Sequence, residues 1–168
     1  MRFIKTLSLA TVAVVGLSTV AVAGEGATVE EVQAKVKAAA EAIAEAKDKK
    51  AAIAEFDAKS GKWAWKDTYV FVYDCKADKG IAHPTLTDKP ILGVKDDAGN
   101  MVFGGDTGLC KASEQKGGGW VTYLWKKQPT DAKSSPKVSF AMKVEGTDYQ
   151  VAAGIYADKK VKNFKLAE

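Results

Sequence analysis

The chain has 168 residues, 46% of them apolar, and a formal net charge of +4, which suits one domain with its own core rather than two. That charge is no basic footprint for nucleic acid, and the acidic and basic residues are interspersed as on ordinary solvated surface. One histidine and two cysteines, with no Cys-x-x-Cys spacing, give no support to a zinc centre, a dithiol redox pair or an attached haem.

Residues 1–23 read as a signal peptide. Arg2 and Lys5 supply the positive start, Leu7 to Val22 is apolar, and Ala21-Val22-Ala23 is a small-x-small cleavage site. The apolar run is shorter than the roughly 20 residues of a spanning helix; an uncleaved anchor is the alternative. No later segment is apolar enough to span a membrane, so the expected product is periplasmic or secreted. Cleavage lowers the net charge to about +2 and removes Arg2, the one arginine of the chain. An anionic ligand must then be held by lysine, histidine, hydroxyls or backbone N–H groups. Export also makes a structural disulfide the default for Cys75 and Cys110, against a redox or metal pair.

A helical segment is expected over 24–60. Thr28 followed by Glu31 is a capping box. Val29, Val32, Val36, Ala39 and Ile43 recur at helical steps as one apolar stripe. Ala51 to Phe56 continues the helical character, and Gly61 ends it. From Trp63 a two-residue period takes over. Tyr69, Phe71 and Tyr73 share one strand face, and Val70 and Val72 share the other, so this strand is expected to be covered on both sides. Asp78-Lys79-Gly80 reads as a turn, and Pro84 to Pro90 as loop. Asp96 to Asn100 is another turn leading into a strand at Met101-Val102-Phe103. Thr107 is the expected cap of a short helix reaching about Gln115, stopped by glycines 117–119. Trp120 to Trp125 is a strand with Trp120, Thr122 and Leu124 on one face and Val121, Tyr123 and Trp125 on the other. Gln128 to Pro136 is loop. Lys137 to Val144 is a strand whose Val138, Phe140, Met142 and Val144 are apolar, with Lys137 and Ser139 opposite. Glu145 to Asp148 is a hairpin turn, and Tyr149 to Tyr156 the last strand. The sheet region is taken as 61–158 and the lysine-rich tail as 159–168.

The sum is an α+β fold, with a long N-terminal helix packed on one face of an antiparallel sheet of about five strands. The other face is left to the irregular connections, which make a concavity suited to a small ligand.

Several pieces in fixed order carry a resemblance to a known family: the aromatic strand Tyr69–Tyr73, the pair His83-Pro84, Ile91-Leu92-Gly93, the turn Asp96–Gly99, Gly119-Trp-Val-x-Tyr-x-Trp125, a lysine at Lys137, and Gly154-Ile155-Tyr156. Together they resemble the Cache family of extracytoplasmic sensor domains, in its small single-module, PAS-like form. The resemblance spans nearly all of the chain after the leader. It implies small-molecule binding without chemistry on the ligand, no cofactor, and a lysine at Lys137 facing a small acid. There is one departure: the family pattern usually has tyrosine where this chain has Phe140, which removes one hydroxyl near the implied site.

Lys137 is therefore the leading ligand candidate, against the alternative of an exposed lysine at a strand start. His83 is second, against a role bracing its own loop through Pro84. Tyr73, Tyr123, Trp125 and Tyr156 are the aromatic candidates, against core packing. Trp120 and Trp125 lie on opposite strand faces, so at most one of them lines a pocket. No nucleophile elbow, close carboxylate pair or phosphate loop is present, and the Asp96-Asp97 turn lacks calcium-loop spacing. The expected function is a stand-alone exported module that binds a small organic acid or related metabolite and presents it to a receptor or histidine-kinase ectodomain. The alternatives are a structural protein that oligomerises through its helix stripe and an accessory module of an exported redox system.

Overall fold

The computed structural model describes residues 26–56 and 60–156. The expected leader at 1–23 and tail at 159–168 lie outside the described residues.

Helix α1, Val29–Glu45, begins at the expected capping box: the Thr28 hydroxyl accepts from the Glu31 N–H, and the Glu31 carboxylate accepts from the Thr28 N–H. Its Val32, Val36, Ala39, Ala40 and Ile43 are buried, and it packs on the last two strands of the described residues. The stripe is small, so the helix axis sits close to the sheet; each buried valine or isoleucine contributes about 1.5–3 kcal/mol. The apolar seam that would suit a helix dimer is thus spent on the chain's own sheet. A second helix, α2, Lys49–Ala54, is capped by Asp48, whose carboxylate accepts from Lys50 and Ala51 N–H. Phe56, just beyond it, stacks on Trp63 with ring centroids 4.9 Å apart.

A two-stranded hairpin follows, β1, Ala64–Trp65, and β2, Thr68–Tyr69. Five strands then make the main sheet: β3, Phe71–Asp74; β4, Lys79–Ala82; β5, Gly119–Trp125; β6, Ser135–Lys143; and β7, Tyr149–Tyr156. Their order is β4-β3-β7-β6-β5 and every pair is antiparallel. The α+β architecture expected from the sequence is the one observed.

Four local expectations are corrected. The turn after β3 lies at 75–78, and Lys79 and Gly80 belong to β4. That strand supplies the fifth member of the sheet, because Met101 makes only an isolated bridge to Lys95. The short helix α3, Leu109–Ser113, is capped by Gly108 rather than Thr107; a side chain at 108 would run into the carbonyls of Phe103 and Gly104. Finally, β6 starts at Ser135 and takes in Pro136. Pro136 pairs with Leu124 of β5 but lies beyond the end of β7, whose pairing begins at Lys137, and a position near a strand start that is paired on one side only tolerates proline.

The sheet separates two cores. Val70, Val72, Val138, Phe140, Val151, Ala153 and Ile155 face α1. Phe71, Tyr73, Val121, Tyr123, Ala141 and Ala152 face the opposite side, under Ile91, Val102, Phe103 and α3. The irregular chain on that side is held by aspartates: Asp78 accepts from the N–H groups of Ile91 and Leu92, and Asp96 accepts from Ala98, Asn100 and Leu124. Cys75 and Cys110 form the expected disulfide, joining the end of β3 to α3 across 35 positions of sequence. Replacing both cysteines with serine should cost about 2–4 kcal/mol of stability. Urea denaturation checks this, and an unchanged midpoint would contradict it.

Candidate functional site

Strand parity and register decide which side chains meet on the loop face. Lys137 of β6 is the cross-strand neighbour of Tyr123 on β5 and of Tyr156 on β7, so the three stand in one row. In the next row Ser139 faces Gly154. A side chain at 154 would overlap Ser139 Oγ, approach the Val138 carbonyl to 2.6 Å and meet Lys137 Cε at 3.0 Å. The glycine thus leaves the space through which the lysine stem leans. Its amine lands among rings of the same loop face.

Lys137 is 1% exposed. Its Nζ lies 4.8 Å from the centre of the Tyr69 ring, 5.0 Å from that of Tyr156 and 5.7 Å from that of Phe71. Such desolvated cation–π contacts are worth up to about 2 kcal/mol, less than the cost of stripping water from an ammonium. No hydrogen bond or ion pair to this amine occurs among the described residues. Burial therefore pulls its pKa down to about 7, with the more distant Asp67 carboxylate opposing. Near neutrality the amine is shared between its charged and neutral forms.

The other expected residues divide. Tyr123 is buried, its hydroxyl 2.9 Å from Ser139 Oγ and its ring edge-on to Trp125 at 5.9 Å. Tyr156 donates its hydroxyl to the Lys126 carbonyl at 2.8 Å, so its ring faces Lys137 while its tip ties down the β5–β6 loop. His83 is half-buried and stands edge-on to Phe71, Trp125 and Tyr69 at 5.2, 5.8 and 6.0 Å. Its Nδ1 accepts from the Thr85 N–H at 3.2 Å, which leaves the proton on Nε2 as a donor. Burial first, then the charges of Lys137 and Lys89, push its pKa down to about 3. The ring braces its own loop through Thr85 and at the same time faces the aromatic cluster around Lys137.

Tyr73 stands apart. It lies one step beyond Phe71 on the strand face, packs edge-on to Phe103 at 5.2 Å and donates to the Leu109 carbonyl. The ring that this segment sets against Lys137 is Tyr69, whose phenol is pushed up to about 12 by burial, with the Trp125 indole opposing. Same-face parity makes Tyr69, Phe71 and Tyr73 equivalent in sequence; only pairing register separates them. Trp120 is on the helix face, against Phe140 at 5.0 Å, so Trp125 alone of that pair faces the site. Phe140, too, faces α1, so the family's missing hydroxyl at that position lies across the sheet from Lys137.

Tyr69 and Trp125 also line a cleft of about 1130 Å³, bounded by the β1–β2 hairpin, Pro84, the Asp96 turn and the β5–β6 loop. The Tyr69 ring is common to this cleft and to the surroundings of the Lys137 amine. A second hollow, of about 700 Å³, lies at the far end of the sheet by Gly146 and α2 and touches none of these residues.

A family model described as Cache domain matches residues 22–160, and the chain belongs to that family of extracytoplasmic sensor domains. Among solved structures, it is similar to a methyl-accepting chemotaxis protein from Vibrio parahaemolyticus at 26% identity, over 77% of this chain and 88% of that one, with a TM-score of 0.60. It is also similar to the periplasmic sensor domain of a chemotaxis protein at 25% identity, over 75% and 95%, with a TM-score of 0.58. A third similarity, 23% identical over 77% and 92% with a TM-score of 0.60, is to a Cache chemosensory domain described for its recognition of carboxylic acids. No helix among the described residues is long and apolar enough to cross a membrane.

Two outcomes follow from the geometry. Gly154→Ala should destabilise the fold by about 1–3 kcal/mol, the range for overpacking; a melting point equal to wild type would contradict the packing of Lys137 across that position. The lysine itself makes stability depend on pH. Its folded pKa lies below its unfolded one, so between about pH 7 and 10 the unfolded chain holds a proton that the folded chain has released. Its contribution is therefore least favourable below pH 7 and improves as pH rises, by up to about 1.4 kcal/mol per pH unit. Lys137→Met should remove this rise when urea curves at pH 7 and pH 9 are compared with wild type.

Proposed function

We propose that the chain is an exported sensor module that binds a small carboxylate at Lys137 and presents the bound state to a separate signalling partner. The observation that carries this is a buried amine with no internal counter-ion, set in a box of rings beside an open cleft. A lysine is rarely fully buried without a partner, and a carboxylate guest supplies one. The neighbour described for carboxylic acid recognition contributes the fold to this reading; the ligand class rests on Lys137.

In this reading the carboxylate pairs with the Lys137 ammonium, and His83 Nε2–H and the Tyr123–Ser139 hydroxyl pair supply further donors. Trp125, Tyr69 and Tyr156 enclose the apolar part of the guest. Guests enter from the cleft past Tyr69 and Trp125. The β5–β6 loop, tied to Tyr156 through the Lys126 carbonyl, is the element that carries occupancy to the surface, where a receptor or kinase ectodomain reads it. Cache domains are ligand-binding modules, and the reading assigns this chain no reaction of its own.

Lys137→Met should weaken binding of a small carboxylate by about 2–5 kcal/mol, the range for removing one partner of a desolvated charge pair. Calorimetry against acetate, propionate and longer acids checks this, and unchanged affinity for every acid that binds wild type would exclude Lys137 from the site. The pH dependence has a fixed sign. A bound anion raises the lysine pKa, so above about pH 7 binding must take up a proton. Affinity should be strongest below pH 7 and fall as pH rises, with the accompanying proton uptake absent in Lys137→Met.

A further inference from the structure

Lys137 is the one lysine among the described residues that is fully buried, and its position supports chemistry that carboxylate binding does not use. We infer that Lys137 is also a covalent capture site for small aldehydes, which it takes up reversibly as an imine inside the aromatic box. The inference rests on the reading of this face as a ligand site.

The geometry supplies what such a reaction needs. The amine has no hydrogen-bond acceptor or acid beside it among the described residues, so its lone pair is not held in an ion pair; desolvation in an apolar pocket is one way a lysine becomes nucleophilic. Burial pulling its pKa to about 7 agrees with this. The rings of Tyr69, Phe71 and Tyr156 exclude the water that would hydrolyse the product. Lys137 Cε and Ser139 Oγ both border the space over Gly154, and Ser139 is hydrogen-bonded to Tyr123. In the step, the Nζ lone pair attacks the carbonyl carbon and a C–N bond forms. The carbonyl π pair goes to oxygen, which takes a proton from nitrogen to give a carbinolamine. Loss of its hydroxyl with a second proton, as water, leaves the C=N bond. Nothing is oxidised or reduced, and hydrolysis returns both partners unchanged.

The test uses the wild-type protein with propanal at neutral pH and cyanoborohydride, which converts an imine into a stable secondary amine. Peptide mapping by mass spectrometry then gives the rate at each lysine. Propylation of Lys137 should be at least about tenfold faster than that of exposed lysines such as Lys76. Acetate should slow it by competing for the same amine. Modification at Lys137 no faster than at Lys76 would overturn the inference, whatever acetate does in calorimetry. Fast modification that acetate does not slow, with no heat of acetate binding, would support the inference and overturn the carboxylate reading instead. Lys137→Met should abolish the fast site; because mapping is done on the wild-type chain, the conclusion stands even if that variant fails to fold.

Discussion

The structure turns on one unbalanced burial. Folding takes the ammonium of Lys137 out of water and offers it three rings and a distant carboxylate in return. Cation–π attraction recovers part of the cost, and burial pulls the amine's pKa down. The rest of the fold arranges for this to be tolerated. Gly154 leaves the volume, β5 and β7 flank the lysine with Tyr123 and Tyr156, and β2 lays Tyr69 over the amine. A group held at a loss in the empty state is one that a guest of opposite charge can stabilise, which is how a rigid scaffold acquires differential affinity.

The two sides of the sheet serve different ends. The α1 side is filled by valine, alanine and isoleucine together with Phe56, Trp63 and Phe140, and it supplies stability. The loop side carries Tyr69, Phe71, His83, Tyr123, Trp125, Lys137 and Tyr156, and its cover is irregular chain rather than helix over much of its width. That cover is nevertheless fixed, by aspartates that collect backbone N–H groups and by a disulfide that fastens α3 to the end of β3. The arrangement places polar and aromatic groups at a boundary where a cleft meets the core, the usual setting of a small-molecule site.

Much of this was legible in the chain, and the failures have physical causes. The helix was readable because Thr28, Glu31 and a three-four apolar repeat agree with one another. The assignment of Lys137 and Ser139 to the loop face followed from alternation with Val138 and Phe140, and the two-sided burial of Phe71–Tyr73 from apolar residues on both parities. Three features were not readable. Lys79–Ala82 is a four-residue edge strand of mixed character, recognisable only once β3 is there to pair with it. Gly108 caps α3 because of what surrounds it, and the neighbouring Thr107 gave the more familiar signal. Tyr69, and not the candidate Tyr73, stands over Lys137, because parity fixes the face and says nothing of the row; pairing register sets the row, which alternation within one strand does not encode.

The central claim is that the amine of Lys137 is buried among rings with no hydrogen bond or ion pair from the described residues. Heteronuclear NMR titration of the Lys137 side chain measures this directly. The account predicts an apparent pKa near 7 in the unliganded protein, shifting upward when a small carboxylate is added. A value in the ordinary lysine range of about 10.4, unmoved by any small acid, would contradict it.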